Sequence, residues 1–185
     1  MTKSEARRFA KNVHLSVGKS LLSTYDLLIS EQISLFLKDL DHGVVGWFYP
    51  LHPVEPKIWV QIKLFVQKYS QLQHALVCTE PENYLTFRQW KEKDLLNNIQ
   101  ISPKKSLLQP TSISPVITPD VIFVPALGFN NGKVRLGWGQ GLYDRFIQNH
   151  DKDIKIIGIS YPWQCHLPFS GQAHDMICDI IFTGT

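Results

Sequence analysis

Residues 121–146 read VIFVPALGFNNGKVRLGWGQGLYDRF, and this stretch decides the fold. Val121-Ile122-Phe123-Val124 is a short apolar run, mostly β-branched and closed by Pro125, as a buried strand requires. Gly137, Gly139 and Gly141 then alternate with Trp138, Gln140 and Leu142, and from Leu142 to Gln148 the pattern turns helical. A strand, a glycine loop and a helix in that order belong to a sheet covered by helices.

Working outward, helical and β-rich segments alternate along the chain. Lys3 to Leu15 and residues 23–40 read as helices separated near Gly18, the second with Leu27, Leu28, Ile33, Leu35, Phe36 and Leu40 near helical spacing. Residues 43–49 read as a buried strand ended by Pro50 and Pro53. A helix is predicted over 56–69, with Pro56 in its first turn. Strands follow near 75–79 and 84–87, then a short polar helix over 89–97 and a connecting loop over 98–119. Apolar strands at 154–161 and 176–183 close the series. The expected architecture is a single α/β domain over 1–185: three layers, a largely parallel sheet with helices on both faces, Rossmann-like. Residues 1–40 form its N-terminal helices.

Composition narrows the function classes. The chain has 185 residues, 44% hydrophobic and 19% charged, enough for a core without metal or disulfide staples. A net charge of +3 and a pI near 8.7 are far from the dense basic stripe of a nucleic-acid binder and suit a small anionic substrate. Trp47, Phe48, Trp59 and Trp90 read as core or pocket wall. Cys78, Cys165 and Cys178 are odd in number and lack a C-x-x-C pattern, which argues against a disulfide framework or zinc site. The N-terminus is charged at once, and no apolar run reaches the length of a membrane helix. A cytoplasmic, monomeric protein with no nucleic-acid or membrane partner is the expectation.

The glycine loop carries the chemistry. Alternate glycines let backbone amides approach a phosphate with no Cβ in the way. The helix that follows adds its dipole, and Arg135 and Arg145 flank the loop with planar donors suited to phosphate oxygens. Neither the GxxxxGK[ST] order of a Walker loop nor the GxGxxG order of a dinucleotide fold is present, and the spacing alone fits a ligand-free glycine turn equally well.

The stretch as a whole resembles the C-terminal signature of the 5-formyltetrahydrofolate cyclo-ligase family. The resemblance is carried by Val124-Pro125, Phe129, Gly132, Arg135-Leu136-Gly137, Gly139, Gly141, Tyr143 and Asp144. Further matches occur in family order: Lys3 and Arg7, Tyr49 with Glu55, Pro110, Ile157-Gly158, Gln164, Pro168, His174-Asp175 and Thr183. The resemblance implies an ATP- and Mg²⁺-dependent enzyme that converts 5-formyltetrahydrofolate, free or polyglutamylated, to 5,10-methenyltetrahydrofolate with release of ADP and phosphate. Residues 121–185 would be its ATP- and metal-binding part. It implies a triphosphate held by Lys3, Arg7, Arg135 and the loop from Leu136 through Gly137, Trp138, Gly139, Gln140, Gly141 and Leu142 to Tyr143. Asp144 and Asp175 would hold the metal. Tyr49, Glu55, Trp138 and Leu142 would meet the folate, with Arg135, Tyr143 and Asp144 at the reacting centre.

The sequence departs from the family pattern close to that site. Asn130 stands where Asp is usual, Gln140 where a small or basic residue is usual, and Leu142 where the first of two tyrosines is usual. Gln109 replaces the Glu of a Glu-Pro pair, and Pro56-Lys57 interrupts the usual helix start after Glu55. A paralogue that binds ATP or folate without closing the ring fits the same sequence.

Overall fold

The computed structural model describes residues 1–91, 99–101, 108–150 and 153–185. Its central sheet has six strands: β1 (Val44–Trp47), β2 (Gln73–Thr79), β3 (Leu85–Gln89), β6 (Val121–Pro125), β9 (Lys155–Ile159) and β10 (Ile180–Phe182). They lie in the order β10-β9-β6-β1-β2-β3, all neighbours parallel except the β2–β3 edge pair. Two small antiparallel pairs are added, β4 (Ile99–Ile101) with β5 (Leu108–Pro110), and β7 (Gly128–Phe129) with β8 (Arg135–Leu136). The helices are α1 (Lys3–Leu15), α2 (Lys19–Lys38), α3 (Trp59–Lys68) and α4 (Leu142–Gln148).

Alternation along the strands separates the layers. Phe123 stacks on Trp47 at 4.8 Å and meets Phe36 of α2 edge-on at 6.1 Å, while Trp47 also stacks on Phe65 of α3. α2 and α3 therefore share one face, and each of the fully buried rings, Trp47 and Phe123, is worth about 1.5–3 kcal/mol in burial alone. The neighbouring positions point the other way. A Cβ on Gly46 would meet Phe87, whose ring packs on Phe146 of α4 at 5.0 Å, and a Cβ on Gly158 would lie 2.4 Å from Phe129. α4 and the β7–β8 hairpin thus cover the opposite face, giving the three layers expected. A second, smaller cluster joins Ala6 and Ala10 of α1 to Leu127, Val134, Leu136, Leu167 and Phe169.

Several boundaries differ from those read in sequence, each for a local reason. α2 begins at Lys19, and β1 is confined to Val44–Trp47. α3 begins at Trp59 rather than at Pro56, because the Lys57 amide donates to Asp26 of α2 at 2.9 Å. Gln89 is a strand residue, paired with Ala75, rather than the start of a helix, and residues 90 and 91 are not helical; the rest of that predicted helix, 92–97, lies outside the described residues. The segment predicted as a loop from 98 contains β4 and β5.

β1 has β2 on one side and β6 on the other, so the winding reverses there. In open α/β sheets, ligands bind outside the carboxyl ends of strands at such a reversal. The chain leaving β1, from Phe48 to Glu55, and Pro125 ending β6 therefore face the same crevice.

Candidate active site

That crevice is a cleft of about 900 Å³. Its wall is built by α1, the segment after β1, the ends of β2 and β6, the glycine loop, α4 and the segment before β10. It brings together every site residue read from sequence: Lys3, Arg7, Tyr49, Glu55, Arg135, Leu136, Gly137, Trp138, Gly139, Gln140, Gly141, Leu142, Tyr143, Asp144 and Asp175.

α1 enters through its first turn. Thr2 and Glu5 form a capping box, with the Glu5 amide donating to Thr2 Oγ1 and the Thr2 amide to Glu5 Oε2. Lys3 and Arg7, one helical turn apart, both turn to the cleft. Lys3 pairs with Asp175 and donates to Gln172 at 3.2 Å, and Arg7 Nε donates to the Gly137 carbonyl at 2.8 Å. The guanidinium of Arg7 lies beside Gly139.

Arg135 is 8% exposed, and its Nε donates to the Pro125 carbonyl at 2.8 Å while its guanidinium covers the Tyr143 ring at 4.6 Å. A Cβ on Gly137 would sit 2.6 Å from Arg135 Nη1, so only glycine leaves room for this buried cation. Gly139 and Gly141 have φ of +103° and +63°, a region that side-chain-bearing residues seldom occupy. Among the described residues, none of the amides from Gly137 to Gly141 donates to a protein acceptor. Arg145 also lines the cleft, and it donates to the Gln140 carbonyl at 2.9 Å and to the Asn83 carbonyl at 3.0 Å, tying the loop to the turn before β3. α4 has only seven residues, so the positive field comes mainly from the side chains and not from its dipole.

The two carboxylates are placed through the backbone of Met176. Its amide donates to Asp144 Oδ1 at 2.9 Å and its carbonyl accepts from the Arg135 amide at 2.9 Å. Asp144 Oδ2 lies beside Gly141 and has no protein donor among the described residues. Burial alone would raise the Asp175 carboxyl, but Lys3 and the Gln172 amide hold it below the ordinary range, so it stays ionised. Burial pushes the Tyr143 hydroxyl well above its ordinary value, against the pull of Arg135, and keeps it a neutral donor.

Glu55 is 2% exposed, and burial raises its carboxyl above the ordinary value. Its Oε2 accepts from the Leu51 and His52 amides at 2.8 and 3.2 Å, and its Oε1 accepts from Trp138 Nε1 at 3.0 Å. The His52 ring lies against Trp138, tilted by 32° with ring centroids 3.6 Å apart, and Lys11 sits over the same Trp138 ring at 4.6 Å. Sequence reasoning missed Lys11, His52 and Gln172. Lys11 continues the Lys3-Arg7 spacing, which was a usable signal; His52 and Gln172 carry none.

The substituted positions divide. Asn130 is structural: its Oδ1 accepts from the Gly132 and Val134 amides and its Nδ2 donates to the Phe169 carbonyl, holding the β7–β8 turn. Gln109 accepts from the Thr79 amide at 3.2 Å in the cleft wall. Leu142 and Gln140 line the cleft.

The model of the 5-formyltetrahydrofolate cyclo-ligase family matches residues 61–184, roughly two thirds of the chain. A 5-formyltetrahydrofolate cyclo-ligase of Mycoplasma genitalium is 37% identical over 62 residues, 34% of this chain and 37% of that protein. One of Haemophilus influenzae is 29% identical over 108 residues, 58% of this chain and 54% of that protein. The chain thus aligns with about a third to a half of the length of these curated relatives. In three dimensions it superposes on a 5,10-methenyltetrahydrofolate synthetase from Mycoplasma pneumoniae with TM-score 0.76 and 18% identity, covering 100% of both chains. It also superposes on the NMR structure of the Aquifex aeolicus 5,10-methenyltetrahydrofolate synthetase with TM-score 0.80 and 18% identity, covering 100% of this chain and 91% of the other. At such identities the superpositions establish a shared fold. The family match spans β2 to β10 with the glycine loop, α4 and both aspartates, and it places this chain in the 5-formyltetrahydrofolate cyclo-ligase family.

Proposed function

We propose that this protein is a 5-formyltetrahydrofolate cyclo-ligase, which binds ATP, Mg²⁺ and 5-formyltetrahydrofolate in the cleft and forms 5,10-methenyltetrahydrofolate, ADP and phosphate. One observation carries the reading. Lys3 and Arg7 of α1, Arg135 of β8, the glycine-loop amides and the carboxylates Asp144 and Asp175 meet in one cleft at the sheet's winding reversal.

The chemistry explains why those groups are needed. A formyl oxygen is a poor leaving group, so it attacks the γ-phosphate, ADP departs, and the oxygen leaves later as phosphate when N10 bonds to the formyl carbon and loses its proton. Phosphoryl transfer depends on positioning and on neutralising charge spread over the equatorial oxygens. Arg135 and the loop amides supply fixed donors for that charge, and Lys3 and Arg7 approach from α1. Asp144 offers an uncommitted oxygen beside the loop, and Asp175 offers an ionised carboxylate shared with Lys3; two carboxylates suit Mg²⁺, which fills its other positions with water and phosphate oxygens. Held by these two residues, Mg²⁺ would supply positive charge to offset that of the phosphates. Tyr49, Leu142 and Trp138 form the folate side, and Glu55 Oε1 keeps one lone pair for the ligand. The site of action is the cytoplasm.

Purified protein with ATP, Mg²⁺ and 5-formyltetrahydrofolate should develop the absorbance of methenyltetrahydrofolate. Asp144→Ala should abolish that signal with its circular dichroism unchanged; unaltered turnover in the variant removes Asp144 from the metal site. A second reading is favoured by Leu142, which lines the cleft where a tyrosine hydroxyl is usual in the family. ATP binding with no product would establish that reading, a binding paralogue, in place of the enzyme.

A further inference from the structure

The two halves of the cleft come from segments far apart in the chain. The folate side is the stretch leaving β1, with Tyr49, Leu51 and His52; the phosphate side is the glycine loop. A hydrogen bond between side chains 83 positions apart spans them, from Trp138 Nε1 to Glu55 Oε1 at 3.0 Å.

Both ends of that bond are anchored. The other Glu55 oxygen is held by the Leu51 and His52 amides, so the carboxylate cannot rotate without releasing the segment that follows β1. Trp138 sits between Gly137 and Gly139, and Gly139 has the positive φ that sets the direction of the loop. The ring is contacted by His52 of the folate side and by Lys11 of α1, the helix that also carries Arg7 to the Gly137 carbonyl. Any movement of the loop about a bound phosphate is therefore transmitted through Trp138 to Glu55 and on to Leu51 and His52.

We propose that Glu55 and Trp138 are a positioning pair that couples the two subsites, so that a nucleotide on the glycine loop preorganises the folate wall and the folate preorganises the loop. This rests on the reading that the cleft takes both ligands. By linkage the coupling is reciprocal, and couplings of this kind fall in the range of about 5- to 150-fold in affinity. The bond's acceptor is a buried carboxylate, which makes it one of the stronger kinds of hydrogen bond.

The test is a binding cycle by titration calorimetry with 5-formyltetrahydrofolate and a non-hydrolysable ATP analogue plus Mg²⁺, each alone and in the presence of the other. Wild type should bind the folate about tenfold more tightly when the nucleotide site is filled, and the nucleotide more tightly by the same factor. Trp138→Phe keeps the ring but removes the N–H; because Trp138 lines the cleft, the affinity for each ligand alone falls as well, and the readout is the ratio of affinities with and without the other ligand, which should come close to one. Glu55→Gln turns an acceptor into an amide that cannot satisfy all three donors, and should do the same from the other side. It supplies the reading should Trp138→Phe fail to fold. In kinetics the loss should appear as a higher KM for each substrate at low concentrations of the other. Coupling that persists in both variants overturns the inference. A wild type that binds both ligands with a ratio of one overturns it too and leaves the proposed function standing. A wild type that binds neither ligand overturns both.

Discussion

Gly137→Ala separates the geometry of the site from the stability of the fold. The new Cβ would lie 2.6 Å from Arg135 Nη1 and 3.3 Å from Cζ, and an ordinary contact is nearly 1 Å longer than the first of these. The atom that must yield is the end of a side chain, so the backbone stays while the guanidinium moves by about 1 Å. That shift weakens the bond from Arg135 Nε to the Pro125 carbonyl and the contact over Tyr143, costing at most about 2 kcal/mol of stability. Its effect on turnover is larger, because a misplacement of about 1 Å in a catalytic array can cost about 10²-fold. Steady-state rates from methenyltetrahydrofolate absorbance, with urea unfolding in parallel, should show kcat/KM about 100-fold lower and the fold essentially intact. Gly132→Ala is the control: its Cβ would meet nothing closer than Asn130 Oδ1 at 3.5 Å, and both quantities should stay near wild type. The reasoning fails if Gly137→Ala retains kcat/KM within about threefold of wild type, or loses more than about 3 kcal/mol of stability.

Gly158→Ala should do the reverse. Its Cβ would lie 2.4 Å from Cζ of the fully buried Phe129, a core ring with nowhere to go, so overpacking should cost about 3 kcal/mol, and a urea midpoint equivalent to less than about 1 kcal/mol would refute the clash. Acid should expose His74. The buried ring accepts from Trp47 Nε1 at 3.0 Å and lies 3.0 Å from the Tyr69 carbonyl, which calls for the neutral tautomer, and burial holds its pKa below the usual 6.5. A depressed value means stability that is whole above pH 6.5 and is lost as pH falls toward the folded-state value, by at most about 1.4 kcal/mol per pH unit. His74→Gln, with an oxygen for Trp47 and an N–H for Tyr69, should flatten that slope in urea unfolding between pH 7.5 and 5.5; an unchanged slope assigns it to another group.

Local signals were readable wherever a segment's own residues determine its conformation. α1 begins at Lys3 because Thr2 and Glu5 cap it, and α4 spans Leu142–Gln148 directly after its left-handed Gly141. The apolar strands β2, β6 and β9 were visible as runs, and with them the alternation that names the fold class. What was hidden depends on partners distant in sequence. Asp26 captures the Lys57 amide and delays α3, and Ala75 draws Gln89 into a strand against its helical context. The β7–β8 pair has two residues per strand, too few to show any period. At the site, residue types and glycine spacing marked out the loop, but a carboxylate's neighbours are set by tertiary structure. Nothing near Glu55 in sequence announces Trp138, and nothing near Arg145 announces the Asn83 carbonyl that it braces.

The docking of α1 against the segment before β10 sets an order of events in biosynthesis. Lys3 meets Asp175 across 172 positions, and Arg7 meets Gly137 across 130. At about 5–20 residues per second on the ribosome, α1 is made roughly ten to thirty seconds before its partner Asp175. During that interval the faces of Ala6 and Ala10, fully covered in the finished protein, have only nascent chain or chaperone against them. Ligands that need both ends of the cleft stabilise the folded molecule by mass action but give no such help to a nascent chain. Under the proposed function, nucleotide and folate levels in the cell would therefore govern how long the protein survives after synthesis, and have little influence on whether it folds in the first place.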